Sequence, residues 1–251
     1  MSPHAGAAVA IVPVRLGSQR LPGKALLSDS GRPLFLHTFE QARRARSFAA
    51  CYVATDSDEV AAAAERHGAA VIRTSPSCRS GSERCAEAMR ALPDELRYVV
   101  DLQGDWPEVA PADLDALVDC LRSGAAPIAT LAAPDHSTDA EPNVVKVVRR
   151  LDGDALYFSR APIPFDASGG VAGMVPRLRH IGVYAFTREA LARVPGLPSS
   201  GLDAIESLEQ LRFLENGLTI RVLDATTAPW GIETRADYEA FLGRRVVAED
   251  R

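Results

Sequence analysis

Short apolar segments rich in β-branched residues alternate with longer amphipathic segments through the first half of the chain, and this alternation limits the possible folds most. The apolar segments are AAVAIVPV at 7–14, CYVATD at 51–56, AAVIRT at 69–74 and YVVDLQGD at 98–105. Helical periodicity covers 33–46, 57–67, 82–92 and 111–122, with Ser57 and Ser82 as predicted N-caps and Gly68 as a C-terminal stop. Strands separated by helices predict a mainly parallel sheet with helices on both faces.

The pattern changes after residue 134. Strand-like segments VVKVVRRL, ALYFSR and RHIGVYAF follow, with a Gly-rich stretch at 166–176 between the last two, and they predict hairpins or a smaller antiparallel lobe. A helix is predicted over 202–217, then a strand TIRVLDAT and a closing helix from residue 235. No long linker is visible, so 251 residues with 47% hydrophobic composition predict one α/β domain.

Composition excludes several classes of partner. The formal net charge of -5 does not favour binding to nucleic acid or to an anionic membrane surface. The N-terminal apolar stretch has no preceding basic region and ends at Pro13 and Arg15, so we expect a buried strand and not a signal peptide. The cysteines lack C-x-x-C spacing and are expected to be free thiols of a cytoplasmic protein: Cys51, Cys78, Cys85 and Cys120.

A loop rich in cations and small residues follows the first predicted strand. It contains Arg15, Gly17, Ser18, Arg20, Gly23 and Lys24. Ligands of open α/β sheets bind at the carboxyl ends of the strands, where such a loop suits a polyphosphate. The spacing matches neither G-x-x-x-x-G-K-[ST] nor G-x-G-x-x-G. A solvated basic loop is the alternative.

A second polar segment, DLQGDWP, ends the strand that begins at Tyr98. It places Gln103 and Asp105 at the same edge of the sheet as the basic loop. A carboxylate facing a phosphate-binding loop is suited to hold Mg²⁺. The alternative is an ordinary turn residue or helix cap.

The motif P-x-R-x-x-S-x-R-L-P-G-K spans 13–24, and ATD, SGSER, QGD, PNVVKVV, ALYFSRAPIP, RHIGVYAF and IESLEQLR follow in order. Together these motifs resemble the CMP-Kdo synthetase (3-deoxy-manno-octulosonate cytidylyltransferase) family over nearly the whole chain. The resemblance implies a Rossmann-like nucleotidyltransferase fold that transfers CMP from CTP to a small acidic acceptor. It further implies a CTP-binding part at 1–134, an acceptor-binding and dimerisation part at 135–251, and a homodimer.

The resemblance also implies roles for particular residues. Arg15, Lys24 and Asp105 would be catalytic, and Asp105 with Glu233 would hold Mg²⁺. The nucleotide would be bound by Pro13, Val14, Arg15, Ser18, Arg20, Lys24, Ser80, Gly81, Arg84 and Gln103. The acceptor would be bound by Arg160, His180, Tyr184, Glu206 and Gln210. The alternatives are a half-buried strand position for Tyr184 and a solvated helix face for Glu206 and Gln210.

The sequence departs from the family pattern at several positions. Trp106 stands where the family has Glu, Cys78 where it has His, Glu233 where it has Asp, and Arg235 where it has Pro, while 166–179 is shorter. An inward Trp106 ring would favour a smaller acceptor, such as phosphonoformate, whereas an outward ring would be a surface change.

Three other classes remain as alternatives. A catalytically silent homologue would be expected to lose the charged residues Arg15, Lys24, Asp105 or Glu233, and this chain retains all four. A sugar-1-phosphate nucleotidyltransferase shares the early loop but not SRAPIP and RHIGVY. A metal hydrolase is disfavoured because the five histidines have no H-x-x-x-H spacing.

Overall fold

The computed structural model describes residues 6–18, 20–135, 141–167, 177–199 and 201–249. The strands are β1 (Ala7–Val14), β2 (Phe48–Thr55), β3 (Ala70–Arg73), β4 (Leu96–Leu102), β5 (Ile128–Pro134), β6 (Lys146–Arg149), β7 (Ala155–Ser159), β8 (Leu178–Thr187) and β9 (Ile220–Asp224). The α-helices are α1 (Leu34–Arg44), α2 (Asp58–Arg66), α3 (Gly81–Met89), α4 (Pro111–Arg122), α5 (Arg188–Arg193), α6 (Gly201–Glu206), α7 (Glu209–Glu215) and α8 (Arg235–Glu249). The Gly-rich stretch at 166–176 lies almost wholly outside the described residues.

One sheet organises the molecule, with strand order β3-β2-β1-β4-β8-β5-β9 and the β6–β7 hairpin attached at the start of β8. All neighbouring pairs along this order are parallel except those that β8 makes with β4 and β5. The predicted, mainly parallel α/β fold is confirmed. The antiparallel pairs after residue 134 are the predicted hairpin, β6–β7, and the pairs that β8 makes within the main sheet.

Alternate residues of each central strand supply the cores on the two faces. On β1, Ala8, Ala10 and Val12 pack into one apolar cluster, and Val9 and Ile11 pack into the other. All five side chains are inaccessible to solvent. Burial on both faces explains why β1 reads as a continuous apolar run, as expected for a central parallel strand.

Several predicted helix boundaries hold, and one is wrong. Ser57 caps α2 by accepting from the Val60 amide, and Gly68 has a φ of 72° just beyond the helix end. Helix α3, however, begins at Gly81, and its N-cap is Ser80, not Ser82. The side chain of Ser82 lies inside the helix and points to carboxylates of other elements.

The helix predicted over 202–217 is two helices, α6 and α7. The chain breaks at Ser207, whose φ of 52° is rare for a residue other than glycine, asparagine or aspartate. The break turns two carboxylates toward different partners. Glu206 accepts from Ser159 at the end of β7, and Glu209 accepts from Ser80 and Ser82 at the start of α3.

Two elements were not predicted, namely β5 and α5. The β5 segment IATLAAP is rich in alanine, so its strand propensity is weak, but its positions Ile128–Ala133 are buried between β8 and β9. No helix among the described residues is long and apolar enough to cross a membrane.

Candidate active site

A cavity of about 540 Å³ opens at the carboxyl ends of β1 and β4. Its walls come from the loop after β1, the segment after β4, the start of α1 and a late loop that precedes α8. The lining residues are Pro13, Val14, Arg15, Gly17, Ser18, Arg20, Lys24, Ala25, Leu34, Gln103, Gly104, Asp105 and Glu233. The cavity therefore brings together most predicted nucleotide-binding residues and both predicted metal-binding carboxylates.

The sheet register explains why these segments meet. Strands β1 and β4 are adjacent and parallel, with Ile11 paired to Asp101, so their following loops leave the same edge. The backbone at Gly104 passes close to β1, where an added Cβ would lie 3.2 Å from the Val14 side chain. This close approach holds Gln103 and Asp105 against the basic loop.

The Lys24 ammonium lies between the two carboxylates. Its Nζ donates to Asp105 Oδ2 at 2.6 Å, to the Ile232 carbonyl at 2.8 Å and to Glu233 Oε2 at 3.4 Å. Arg20 forms a second ion pair with Glu233 at 2.8 Å. Burial alone would lower the pKa of Lys24, but the charges of Asp105 and Glu233 outweigh it and raise the pKa.

The loop that carries Glu233 is fixed from two sides. The Ile232 amide donates to the Asp105 carbonyl at 2.9 Å. The Trp106 ring packs against the backbones of Gly182 and Gly231, where an added Cβ would lie 3.3 Å and 3.2 Å from ring atoms. The ring thus fills space beside the sheet, and Trp106 is not among the residues that line the cavity.

The Ser80–Ser82 segment forms the rear support of the cavity wall. Gly81 is required there, because an added Cβ would lie 2.1 Å from the Gln103 amide nitrogen. Ser80 accepts from the Glu83 amide at 3.2 Å and donates to Glu209 at 2.5 Å. Gly81 therefore contacts Gln103 of the cavity wall, and neither Ser80 nor Gly81 lines the cavity itself.

Arg84 occupies a different position from the other predicted nucleotide-binding residues. It is buried, pairs with Asp56 at 3.0 Å and donates to Thr74 Oγ1 at 2.6 Å. Its guanidinium therefore ties α3 to the ends of β2 and β3. The structure places Arg84 outside the residues that line the cavity.

Arg160 and Glu206, two of the predicted acceptor-binding residues, lie together where β7 ends and α6 ends. Glu206 accepts from the Ser159 hydroxyl at 2.6 Å and from the Arg160 amide at 2.9 Å. The Arg160 guanidinium donates to the carbonyls of Glu206 and Pro142, at 2.7 and 2.9 Å. Burial raises the pKa of Glu206, but its hydrogen bonds, led by Ser159, lower it more, so the carboxylate stays ionised.

His180, Tyr184 and Gln210 form the other part of the predicted acceptor site. His180 bonds to Thr130 Oγ1 at 2.9 Å and packs 5.3 Å from the Tyr184 ring. Burial lowers the pKa of His180 to about 3, so the imidazole is neutral at physiological pH. Gln210 is only 5% exposed, so the expectation of a solvated helix face is wrong for this residue. Tyr184 is likewise 8% exposed.

The predicted residues omit three charged side chains that the structure places beside the site: Lys146, Asp101 and Glu209. Lys146 is one of only two lysines in the chain, and the other is Lys24. Asp101 lies inside a buried strand with no solvent exposure. For Lys146 and Asp101 the available sequence signal was a charged residue within an apolar strand, since such a residue needs a partner, whereas Glu209 begins a helix and has no such signal.

Comparison with known proteins gives one consistent result. A profile of the cytidylyltransferase family matches residues 9–220. The 3-deoxy-manno-octulosonate cytidylyltransferase of Anaeromyxobacter sp. (strain Fw109-5) is 47% identical over 230 residues, which cover 91% of this chain and 93% of that protein. The protein of the same name from Nitratidesulfovibrio vulgaris (strain Hildenborough) is 43% identical over 236 residues, with coverage of 92% and 93%.

A solved structure has the same fold throughout. It is a CMP:2-keto-3-deoxy-manno-octonic acid synthetase in complex with CTP, and it superposes with a TM-score of 0.89 at 37% identity. The superposition covers 98% of this chain and all of the other. These similarities extend over both halves of the sheet and the site between them. This chain belongs to the 3-deoxy-manno-octulosonate cytidylyltransferase (CMP-Kdo synthetase) family and is a nucleotidyltransferase.

Proposed function

We propose that this enzyme transfers CMP from CTP to 3-deoxy-manno-octulosonate (Kdo), with Mg²⁺, and releases pyrophosphate. The observation that carries the proposal is the cavity in which Arg15, Arg20 and Lys24 face Asp105 and Glu233. The names of the relatives and the CTP bound to the solved neighbour support the choice of substrates.

The cations of the first loop suit the triphosphate. Arg15 and Lys24 line the cavity with Ser18, and Arg20 stands at its margin in an ion pair with Glu233. Transfer of CMP breaks the bond between the α-phosphorus and the bridging oxygen, and negative charge grows on the departing pyrophosphate. Cations that are already in place stabilise this charge.

The donor set at Asp105 and Glu233 fits a hard divalent cation. Both carboxylates already accept hydrogen bonds from one positive charge, the Lys24 ammonium. The Ile232 carbonyl is a third oxygen acceptor of the same ammonium. Mg²⁺ prefers such oxygen ligands and keeps several waters. When bound, the ion would neutralise phosphate oxygens, and Lys24 would turn from the carboxylates to the triphosphate.

The acceptor half supplies recognition of an acid. The hydrogen bonds described for the Arg160 guanidinium go to carbonyl oxygens, and its charge also helps to lower the pKa of Glu206; we assign this guanidinium to the carboxylate of the acceptor. The neutral His180 and the Glu206 carboxylate suit sugar hydroxyls. An acceptor hydroxyl would then attack the α-phosphorus in line, aligned by these contacts.

The position of Trp106 bears on the phosphonate alternative. A smaller acceptor was expected only if the ring reduced the binding space. Its ring instead packs against the Gly182 and Gly231 backbones, and the cavity wall does not include it. Because the same cavity includes none of the predicted acceptor-binding residues, the choice of Kdo over a small phosphonate rests on the names of the relatives and not on this ring. The four charged residues that argue against a silent homologue all line one cavity.

Two further properties are part of the proposal. The described cysteines are all free thiols, which supports a reducing, cytoplasmic environment. Large apolar side chains are exposed at Phe165 (86%) and Ile205 (82%), which supports a homodimer formed by the acceptor half. Light scattering of the protein and of Ile205→Asp would test the dimer: the same mass for both would contradict this interface.

The test of the activity is pyrophosphate release with Mg²⁺ and each of CTP, UTP, ATP and GTP, against Kdo, 8-amino-Kdo, neuraminic acid and phosphonoformate. We expect turnover with CTP and Kdo, and a loss of about 100-fold in kcat/KM for Asp105→Asn. Asp119→Asn, on the exposed face of α4, is the matched control and should retain activity. Turnover with phosphonoformate alone would refute the Kdo assignment, and no turnover with any pair would refute the enzyme proposal.

A further inference from the structure

Two carboxylates contact Gln103 and the Ser80–Ser82 segment, which we call the nucleotide wall. One serine, Ser82, bridges the two carboxylates. Asp101 is on β4 and has no solvent exposure, and Glu209 begins α7 and is half-buried. Ser82 Oγ lies 3.2 Å from Asp101 Oδ2 and 3.0 Å from Glu209 Oε2. The bridge joins the nucleotide half of the molecule to the helix that carries Gln210.

Each carboxylate positions one part of the wall. Asp101 Oδ1 accepts from the Gln103 amide at 2.7 Å, and Gln103 lines the cavity. Glu209 Oε1 accepts from Ser80 at 2.5 Å. The amide of Gln103 in turn lies over Gly81, where no side chain can fit. Gln103 and the Ser80–Ser82 segment are therefore held by the same pair of acids.

The strong hydrogen-bond donors do not suffice for two ionised acids, because Asp101 has only the Gln103 amide, the Ser82 hydroxyl that it shares with Glu209, and the weak thiol donor of Cys85. Ser82 has a single hydroxyl proton but faces an oxygen of each carboxylate. If it donates to Glu209, the buried Asp101 oxygen faces a hydroxyl lone pair, and the reverse choice leaves Glu209 Oε2 without this donor. One additional proton resolves the conflict, because Asp101 then donates to Ser82 and Ser82 donates to Glu209.

We propose that Asp101 and Glu209 share one proton through Ser82, and that this pair is the positioning unit that fixes Gln103 and Ser80 for nucleotide binding. The inference deepens the proposed function and rests on it for the identity of the nucleotide. Loss of the shared proton would place a second negative charge behind the wall and weaken the binding of CTP, which is itself an anion.

The surroundings agree with this assignment. Besides Ser82, Asp101 faces Cys85 of α3, Gln103 just after its own strand and the phenol of Tyr184, which is its register partner on β8. None of these is a cation. Burial first and then the charge of Glu209 raise the pKa of Asp101 to about 7.

Glu209 has a different environment. The Arg212 guanidinium lies 3.2 Å from it, and that cation is shared with Glu83, which also pairs with Arg79. Burial raises the pKa of Glu209 as well. With the cation beside Glu209, the shared proton belongs on Asp101.

The test measures the dissociation constant of CTP by calorimetry at pH 6 and at pH 9, with Mg²⁺ and without acceptor. In the wild type, a unit charge at ~10 Å in an effective dielectric of ~30 weakens binding about sixfold at pH 9. Asp101→Asn keeps a single negative charge in the pair at both pH values. The ratio of the wild-type to the variant dissociation constant for CTP should therefore rise from near one at pH 6 to about six at pH 9. The ionisation of CTP itself cancels in this ratio.

Two variants complete the test. Glu209→Gln removes only the charge of the neighbouring acid, so CTP binding should weaken at a lower pH than in the wild type, and this variant serves if Asp101→Asn does not fold. Asp115→Asn removes a carboxylate that caps the backbone at Arg46 and Ser47, far from the pair in the fold, and should retain the wild-type pH dependence. A ratio that stays constant between pH 6 and 9 would overturn the proposal.

A second readout separates this inference from the proposed function. Infrared difference spectra of the free protein should show the carbonyl band of a protonated carboxylic acid at pH 6.5, and Asp101→Asn should lack it. The band requires no nucleotide. If the protein does not bind CTP, the proposed function fails while the band still decides whether the proton is shared. The absence of the band in the wild type would refute the shared proton.

Discussion

Replacement of Lys146 by methionine tests how the acceptor half is held together. Lys146 lies on β6, opposite Ser159 of β7 and Arg179 of β8, and is 2% exposed. Its ammonium donates to the carbonyls of Glu141, Val144 and Arg160, each at 2.8 Å. Each of the three ammonium protons of Lys146 is thus donated to a main-chain carbonyl. Methionine keeps the length of the side chain but removes every one of these bonds.

The expected loss follows from the exposure of the three carbonyls. A hydrogen bond to a charged group contributes about 1.5–3 kcal/mol. The exposed Glu141 segment regains water, so the other two bonds carry most of the loss. The variant also avoids the cost of burying an ammonium group, which offsets part of the loss, since burial lowers the pKa of Lys146. The net loss is about 3 kcal/mol, and the melting temperature falls by about 6–12 °C.

Urea unfolding and calorimetry of Lys146→Met measure this loss. The matched control is Arg97→Met, because Arg97 forms an exposed ion pair with Glu189, and such pairs are worth at most about 1 kcal/mol. Because Lys146 also holds the Arg160 carbonyl, the KM for the acceptor should rise more than the KM for CTP. A stability loss below about 1 kcal/mol, or one no larger than the control, would refute the reasoning.

Asp101→Asn should stabilise the protein at pH 8 and have little effect near pH 4. In the folded wild type the pKa of Asp101 is raised from the ordinary value of 3.8 to about 7, so the wild type loses stability as pH rises from about 4 to 7. Equal urea midpoints for both proteins at pH 8 would contradict this. Gly81→Ala should raise the KM for CTP about tenfold, because its Cβ displaces the Gln103 amide; unchanged CTP kinetics would show that Gln103 does not bind nucleotide. Glu206→Gln should raise the KM for the acceptor, with CTP binding unchanged, because it weakens the brace at Arg160; calorimetry with CTP checks the second half.

Local sequence patterns predict most of the helices and strands in the first half of the fold. The boundaries of β1 and α4 follow from apolar runs and from the proline that starts the helix, which act within a few residues. The meeting of Lys24 with Asp105 was also accessible, since loops after adjacent parallel strands must share one edge. The role of Glu233 came only through family resemblance, because nothing in its own segment indicates a carboxylate site.

The second half depended on contacts between distant residues. The periodicity of 202–217 is helical throughout, but the tertiary contacts of Glu206 and Glu209 stabilise a break at Ser207. Strand β5 has weak propensity and exists because β8 and β9 pair with it on both sides. Such energies come from contacts between residues more than forty positions apart, which no local pattern reports.

By itself, then, the sequence determined the parallel α/β class, the basic loop and the edge of the sheet where the candidate site lies. These follow from side-chain periodicity and from the geometry of parallel strands. Only the tertiary structure decided that Trp106 packs outside the cavity, that Arg84 braces α3, and that Asp101 meets Glu209. Each of these depends on which side chains are brought together across the fold, and burial then sets their charge and their hydrogen-bond partners.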